Sequence, residues 1–260
     1  MVEAALWSLV ASSSLVVGGL IAIRFDLPLR TIGLVMGFGA GVLIAVLSVD
    51  LAVDAFERSS NLVVATGLLA GGVIFYAGDR LLDRMGAGER KSMGGEQEEG
   101  SPLAIVLGIV LDGIPESAAI GVALIEGDKI GIAFVVAVFL SNLPESLSAS
   151  SGLRKAGRSS GWIIRLWLFV SVVCALAAML AFGLLDETDQ NLIAFCLAFA
   201  AGAILAMLAS TMMPEAFEHA GRAVALVTVV GFALGFAITE REASSESAPE
   251  RPPVATQEVS

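Results

Sequence analysis

The sequence predicts an all-α, polytopic membrane protein with eight transmembrane helices. Two observations favour this fold class. Hydrophobic residues make up 56% of the 260 residues and only 16% are Asp, Glu, Lys or Arg, whereas soluble domains carry about 25% charged residues. The charged residues also fall in clusters between apolar runs of about 20 residues, the length that crosses a bilayer. A large soluble catalytic domain is excluded, and the net charge of −11 argues against a nucleic-acid partner.

Eight stretches are long and apolar enough to span the lipid bilayer. In chain order they are residues 4–24, 32–54, 61–79, 102–124, 130–151, 162–184, 191–213 and 222–239. Residues 1–240 then form a single transmembrane domain. The loop 80–101 and the tail 241–260 have too few apolar residues to pack and are predicted to be disordered.

The distribution of Lys and Arg predicts the orientation. If the N-terminus is outside, most of the 15 Lys and Arg residues lie on the cytoplasmic side, which positive charge favours. Both termini are then outside and the loop 80–101 is cytoplasmic. We expect an integral protein of the cell membrane.

Two pairs of similar segments predict an inverted repeat. Phe38–Glu57 (FGAGVLIAVLSVDLAVDAFE) resembles Phe199–Glu218 (FAAGAILAMLASTMMPEAFE), and Asp112–Ser117 (DGIPES) resembles Asn142–Ser146 (NLPES). Each pair lies on two spans of opposite direction, as in many secondary transporters. Spans 1–3 are expected to mirror spans 6–8, and span 4 to mirror span 5. Helix packing through regularly spaced small residues is the alternative explanation. The glycine stripe in span 2 permits a homodimer but serves packing within the chain equally well.

Spans 4 and 5 carry ionisable residues at membrane depth. Asp112, Glu116 and Glu145 lie near the middle of apolar runs, where each costs about 2.5–3.5 kcal/mol on insertion scales, so such residues are usually functional. Asp112 and Glu116 are four residues apart and share a helix face, and Asn142 and Glu145 share another. The proline inside each pair removes a backbone N–H and frees a carbonyl oxygen.

These side chains form an oxygen-rich, net negative site that suits a divalent cation. The predicted metal ligands are Asp112, Glu116, Asn142 and Glu145. The hydroxyl groups of Ser117 and Ser146 lie alongside as secondary candidates. Two alternatives are a pair of protonated carboxyl groups that hydrogen-bond across kinked helices, and a proton relay.

With these motifs and eight spans, the chain resembles the ZIP (Zrt/Irt-like) divalent-metal transporters over essentially residues 1–240. The matching stretches are Asp112–Glu116 (DGIPE) and Ser141–Glu145 (SNLPE), and Pro214–Ala216 (PEA) at the end of span 7 is also similar. The resemblance implies that both glutamates, Glu116 and Glu145, are metal ligands.

The chain departs from the family pattern at three positions. Asp112 takes the place of a histidine, Gly113 that of an asparagine and Asn142 that of an acidic residue or histidine. Without imidazole the site offers only oxygen donors, which are hard ligands. Zinc prefers some nitrogen or sulfur ligands, whereas oxygen sites suit Mn²⁺. A divalent cargo such as Zn²⁺, Mn²⁺ or Fe²⁺ is expected, without a cofactor, and Gly113 weakens any second metal site.

Two further groups of polar residues lie at helix ends. Asp50 and Asp54 close span 2 on the outer side and are candidates for an entrance site. Glu215 and His219 are four residues apart at the cytoplasmic end of span 7 and are candidates for a release site. Solvated helix ends are the alternative interpretation for both groups.

The sequence therefore predicts a transporter that imports divalent metal through the carboxylates of spans 4 and 5. The alternative is a proton-coupled carrier or channel for another substrate that uses the same carboxylates. An enzyme is not expected, since the chain has no His-Glu-x-x-His motif and no serine–histidine pairing. The two cysteines, Cys174 and Cys196, lie in apolar runs and are interpreted as small core residues.

Overall fold

The computed structural model describes residues 1–87, 102–125, 132–186 and 188–246, and these residues form α-helices and no strand. In chain order the helices are α1 (Val2–Arg24), α2 (Leu29–Val46), α3 (Ala52–Arg58), α4 (Asn61–Leu82), α5 (Pro102–Ala123), α6 (Ile132–Lys155), α7 (Ser160–Leu185), α8 (Gln190–Met207), α9 (Met213–Ala220) and α10 (Ala223–Glu246). Wider π-helical turns lie at Leu47–Leu51, Asp83–Ala87 and Leu208–Met212.

Within the described residues, eight helical segments are long and apolar enough to cross a membrane. Span 2 (Leu29–Arg58) joins α2 and α3 through a π-helical turn, and span 7 (Gln190–Ala220) joins α8 and α9 in the same way. Spans 1, 3, 4, 5, 6 and 8 contain α1, α4, α5, α6, α7 and α10. The predicted all-α membrane fold with eight spans is confirmed.

Several helix ends differ from the predicted bounds. Spans 2 and 7 continue past their expected ends, because the apolar pattern stops before the helix does. Span 3 runs on to Leu82 and a π-helical turn, and α10 ends at Glu246. The first residues of the predicted loop 80–101 and tail 241–260 are thus helical, and the rest of both segments lies outside the described residues.

Serine side chains cap the N-termini of spans 3 and 6. Ser60 accepts a hydrogen bond from the backbone N–H of Val63 at the start of span 3, and Ser159 accepts one from Trp162 at the start of span 6. Each cap satisfies a backbone donor that the first helical turn leaves unpaired. The caps define where spans 3 and 6 begin, directly after the short turns that follow spans 2 and 5.

The spans pack in two groups. Span 2 packs on span 8 and span 3 on span 7, while span 1 packs on spans 5 and 6 and span 4 on span 6. Contacts of span 2 with span 5 and of span 4 with span 7 join the groups. This set of neighbours is unchanged when spans 1–3 exchange with spans 6–8 and span 4 with span 5. An inverted repeat requires this property, but the repeat itself stays a prediction.

Glycines lie at close contacts between helices. The contacts between spans 2 and 8 have counterparts between spans 3 and 7. A Cβ atom at Gly41 would collide with the carbonyl oxygen of Thr228 in span 8, and one at Gly202 with that of Leu68 in span 3. In return, Gly231 of span 8 abuts the carbonyl of Phe38, and Gly71 of span 3 abuts that of Phe199. Phe38 and Gly41 occupy the same places in the first repeated segment as Phe199 and Gly202 in the second.

The glycine stripe of span 2 is occupied within the chain. Gly33 faces Ala216 and Ala220 of span 7, and Gly37 faces the side chains of span 8. The stripe predicted to permit a homodimer therefore serves intrachain packing. Contacts at both ends also make spans 2 and 7 antiparallel, since Arg58 at the end of span 2 bonds Gln190 at the start of span 7.

Candidate functional site

Span 4 buries two carboxylates between its neighbours. The side chains of Asp112 and Glu116 lie on successive turns and are 2% and 1% exposed. The helix continues through Pro115 from Pro102 to Ala123, so the four-residue spacing keeps both carboxylates on one face. Ionisable groups with so little exposure in a membrane span are costly, which points to a ligand or a partner inside the protein.

Span 5 contributes a carboxamide and a third carboxylate. Asn142 and Glu145 are also buried, and their helix continues through Pro144. The Oδ1 atom of Asn142 accepts no hydrogen bond from any residue in the described part of the chain. A buried polar atom without a partner costs about 1–3 kcal/mol, so this oxygen is free to accept a hydrogen bond from water or to coordinate a cation.

A small cavity joins the two helices at this point, with room for about one water-sized particle. It is lined by Leu15, Ile109, Asp112, Gly113, Asn142, Glu145, Ala149, Trp167 and Val170. Three of the four predicted ligands thus meet around one cavity. Glu116 does not line it and is buried one turn further along span 4.

Spans 1 and 6 complete the walls of the cavity, although neither span is part of the predicted site. Leu15 comes from span 1 and Trp167 from span 6, where the indole Nε1 donates a hydrogen bond of 2.7 Å to Ser150 Oγ. An apolar residue in an apolar span carries no local signal of such a role. The tryptophan and leucine shield the polar groups from lipid and strengthen electrostatic interactions in the cavity.

The serine hydroxyls beside the motifs bond to neighbouring groups. Ser146 Oγ donates to the carbonyl oxygens of Leu143, at 3.1 Å, and of Ser14 in span 1, at 3.4 Å. Ser117 bonds to the thiol of Cys174 in span 6. In this arrangement Ser146 links span 5 to span 1 and Ser117 links span 4 to span 6.

One of the two predicted entrance residues, Asp54, lies in what we term the Asp54 cluster. This cluster comprises Asp54, Glu57, Arg58 and Gln190, which surround an open polar pocket. Arg58 Nη2 lies 3.6 Å from Asp54 Oδ2, and its Nη1 lies 3.3 Å from Gln190 Oε1. Asp50 is half-buried in the neighbouring π-helical turn. Arg58 is not among the predicted site residues, although its spacing of four from Asp54 is a recognisable signal of a pair on one helix face. Its positive charge offsets the attraction that Asp54 exerts on a cation.

The predicted release residues lie in a second group, which we term the His219 cluster. It contains Glu215, Glu218 and His219, whose potential ligand atoms lie within 4.8 Å of one another. His219 Nδ1 lies 3.1 Å from the carbonyl oxygen of Glu215. Because a carbonyl only accepts, the neutral ring carries its proton on Nδ1 and keeps a lone pair on Nε2. The structure adds Glu218 to the predicted pair.

The two clusters lie at opposite ends of the antiparallel pair of spans 2 and 7. The Asp54 cluster joins the end of span 2 to the start of span 7, while Ala216 and Ala220, beside the His219 cluster, pack on Gly33 near the start of span 2. The central cavity is formed by other spans, 1, 4, 5 and 6. The predicted site residues therefore form three separate groups.

Comparison with known proteins shows two similarities. Residues 86–240 match the family described as ZIP zinc transporter, a range that includes all of spans 4 to 7. A protein of Arabidopsis thaliana with the name "Putative zinc transporter" is 27% identical over 219 residues, which are 83% of this chain and 35% of that protein. The chain thus spans about a third of the length of this relative.

Proposed function

Because the chain belongs to the ZIP zinc transporter family, we propose that it carries divalent metal cations across the membrane into the cytoplasm. The metal binds between spans 4 and 5 to Asp112, Glu116, Asn142 and Glu145. The observation that supports this proposal best is the buried cavity in which Asn142 Oδ1 lacks a hydrogen-bond partner beside two carboxylates. A cation would satisfy the carboxamide oxygen and offset the negative charge at once.

The donors favour a divalent cation over other cargo. Carboxylate and carboxamide oxygens bind hard and borderline cations, so Zn²⁺, Mn²⁺ and Fe²⁺ are the candidates. A bare divalent cation fits a cavity with room for about one water-sized particle. A larger organic substrate does not fit this cavity.

Two polar clusters give the cation a route to and from the central site. The Asp54 cluster lies at the proposed outer end and the His219 cluster at the proposed cytoplasmic end. Carboxylates of the first raise the local concentration of cations, and Glu215 with His219 Nε2 accepts the metal in the second. Both termini are outside in this proposal, and the protein lies in the cell membrane.

Transport requires that the central site open to each side in turn. The two groups of packed spans provide bodies that can move against each other, as in other transporters with related halves. The chain contains no G-x-x-x-x-G-K-[ST] sequence, so the ion gradient and the membrane potential supply the energy in this proposal.

Uptake by proteoliposomes tests the central site. The purified protein is reconstituted with a metal-sensitive dye inside the vesicles, and Zn²⁺, Mn²⁺ and Fe²⁺ are added outside under an inward-negative potential. We expect the double variant Glu116→Ala, Glu145→Ala to lose at least about 100-fold in uptake rate, because two charged ligands are removed. Glu3→Gln, which removes an exposed carboxylate of span 1, should leave uptake unchanged.

The proposal is wrong if the double variant folds and transports all three metals at the rate of the wild type. A pH-sensitive dye in parallel vesicles distinguishes the alternative use of the carboxylates. Proton flux in the absence of metal, together with no metal-dependent signal, would assign these residues to a proton-coupled carrier.

A further inference from the structure

Trp167 of span 6 forms part of the wall of the central cavity. Its side chain is 2% exposed, and its indole Nε1 donates a hydrogen bond of 2.7 Å to Ser150 Oγ in span 5. The ring also packs on span 1, where a Cβ atom at Gly19 would lie 2.6 Å from Trp167 Cδ1. The indole is therefore held by spans 1 and 5, and it moves aside only if these contacts break.

Span 5 brings this ring close to the predicted metal ligands. Glu145 and Ala149 both line the cavity and are four residues apart, so they share a helix face. Ser150, which holds the indole, follows Ala149 directly. Trp167 and three of the four predicted ligands line one cavity. The ring thus limits the space beside those ligands.

The wall of this cavity is largely apolar. Within the described part of the chain, five of the residues that line it have apolar side chains: Leu15, Ile109, Ala149, Trp167 and Val170. None of these side chains has a hydrogen-bond acceptor, because four are aliphatic and indole has only its N–H donor, which already bonds to Ser150. A water molecule that a cation kept on this side would have hydrogens without acceptors, which is unfavourable. The wall therefore favours a cation that sheds its water.

The oxygen donors alone do not distinguish among the hard divalent cations. Carboxylate and carbonyl oxygens suit Mg²⁺ and Ca²⁺ as well as Mn²⁺. These cations differ in the water that they keep, because Mg²⁺ usually retains several water molecules and Ca²⁺ takes about 6–8 oxygen ligands, whereas Zn²⁺ is commonly four-coordinate. A cavity with room for about one water-sized particle leaves no space for retained water beside the cation. Selectivity against Mg²⁺ and Ca²⁺ would then come from the wall.

We infer that Trp167 determines the metal selectivity of the proposed transport site, because its ring occupies the space that the retained water of Mg²⁺ and Ca²⁺ needs. The inference rests on the proposed function, since it concerns the same site. Trp167 is not a metal ligand in this inference. It acts by its volume and by its fixed position on Ser150 and Gly19.

Replacement of the indole by a small side chain tests the inference. Trp167→Ala opens the wall, whereas Trp167→Phe keeps an aromatic ring there. Trp162→Ala is the matched control, because Trp162 is a half-buried tryptophan of the same span and is not among the residues that line the cavity in the described chain. Isothermal titration of the purified full-length proteins in detergent measures the dissociation constants for Zn²⁺, Mg²⁺ and Ca²⁺.

The ratio of these constants is the readout, because a purely structural defect would weaken the binding of all three cations. We expect Trp167→Ala to strengthen Mg²⁺ and Ca²⁺ binding relative to Zn²⁺ binding by at least about 10-fold, since it makes room for their water. Trp167→Phe should change the ratio by less than about 3-fold. The control Trp162→Ala should keep the ratio of the wild type.

A spectroscopic measurement tests whether the cation lies beside the ring, and it leaves Trp167 in place. The chain has three tryptophans, so the double variant Trp7→Phe, Trp162→Phe has Trp167 as its single tryptophan. Mn²⁺ is paramagnetic and quenches the fluorescence of a nearby indole group. We expect saturable quenching by Mn²⁺ that excess Zn²⁺ reverses. Mn²⁺ binding without quenching would place the cation away from Trp167 and overturn the inference.

The outcomes separate this inference from the proposed function. If Trp167→Ala binds Zn²⁺ but keeps the ratio of the wild type, Trp167 does not determine selectivity and the transport site stands. An equal change in Trp162→Ala would also overturn the inference, because span 6 as a whole would then be responsible. If Trp167→Ala does not fold, the ratio in Trp167→Leu decides the question in the same way. If the double variant Glu116→Ala, Glu145→Ala binds Zn²⁺ as the wild type does, the proposed transport site itself is wrong.

Discussion

Three carboxylates of this protein are buried so deeply that their charge must be compensated by nearby groups or a bound cation. Asp112, Glu116 and Glu145 lie in the interior of spans at 7% exposure or less. A charged group in such surroundings is costly unless partners inside the protein or a bound cation compensate it. The Oδ1 atom of Asn142 has no hydrogen-bond partner among the described residues, so it adds to this cost.

Arg58 reduces the negative charge of the Asp54 cluster. The sequence predicts an entrance site for cations at Asp50 and Asp54, but the guanidinium group of Arg58 lies within 4 Å of Asp54. The His219 cluster has the same spacing of four between its carboxylate and its basic residue, with an imidazole in place of the guanidinium. The arginine is always protonated and cannot ligate a metal, whereas the imidazole can.

Removal of the Arg58 charge should therefore increase uptake at low metal concentration. The Arg58 side chain is only 14% exposed, but it lies at a helix end near the surface, where such a charge is worth about 0.5–1 kcal/mol. Arg58→Gln is therefore expected to raise the initial rate about 2- to 5-fold below saturation. The effect should fade at high salt, because ions screen exposed charges. Initial rates in proteoliposomes measure it. Arg30→Gln, at the opposite end of span 2, is the control, and an equal rise there would contradict the assignment.

Spans 2 and 7 have the same helical irregularity. Each contains a π-helical turn, Leu47–Leu51 and Leu208–Met212, at the same distance after the repeated F-x-A-G sequence. Pro214 follows the second turn and disturbs its hydrogen bonds, but the first turn has no proline nearby. The shared turn is thus not explained by proline alone, and π-helical turns are frequent at functional sites.

Close helix contact through glycine should be sensitive to a single methyl group. Gly71 abuts the carbonyl of Phe199, whereas the adjacent Gly72 has its nearest neighbour, Gly202 O, at an ordinary 3.6 Å from an added Cβ. We expect Gly71→Ala to lower the free energy of unfolding by about 1–3 kcal/mol through overpacking. Gly72→Ala should change it by less than about 0.5 kcal/mol. Denaturant unfolding in detergent measures both, and equal values for the two variants would contradict the packing described for span 3.

The whole molecule offers two ends with different chemistry. One end has Asp54, Glu57 and the arginine that pairs with Asp54, and the other has Glu215, Glu218 and a histidine. In the proposed orientation the first end is outside, because most Lys and Arg residues then lie on the cytoplasmic side. The membrane potential would then favour the proposed inward transport, by about 2.3 kcal/mol per charge per 100 mV.

Cysteine labelling tests this orientation. In a chain whose two native cysteines are replaced by serine, Asn61→Cys and Ser160→Cys place single thiols at the first residue of spans 3 and 6, both exposed. We expect a membrane-impermeant maleimide to label Asn61→Cys in intact cells and Ser160→Cys only after permeabilisation. The reverse pattern would place both termini in the cytoplasm, and the cysteine-free parent controls for background.

Much of this architecture follows from the sequence alone. Length and hydropathy determine the eight spans, because a helix must satisfy its own backbone in lipid and must be about 20 residues long to cross it. Asp112, Glu116 and Glu145 stand out for the same reason, since a carboxylate in an apolar run is costly wherever the span packs. These are local properties, and a single segment is enough to recognise them.

Contacts between distant segments were decided only by the tertiary structure. Neither Trp167 in the cavity wall nor Cys174 against Gly113 carries a signal in its own span, because an apolar run tolerates both residues anywhere. The bond of Arg58 to Gln190 depends on which helix ends meet, and the use of the span 2 glycines within the chain depends on which helices pack. Hydropathy shows that a residue is buried, but only the packing of the spans determines which residues surround it.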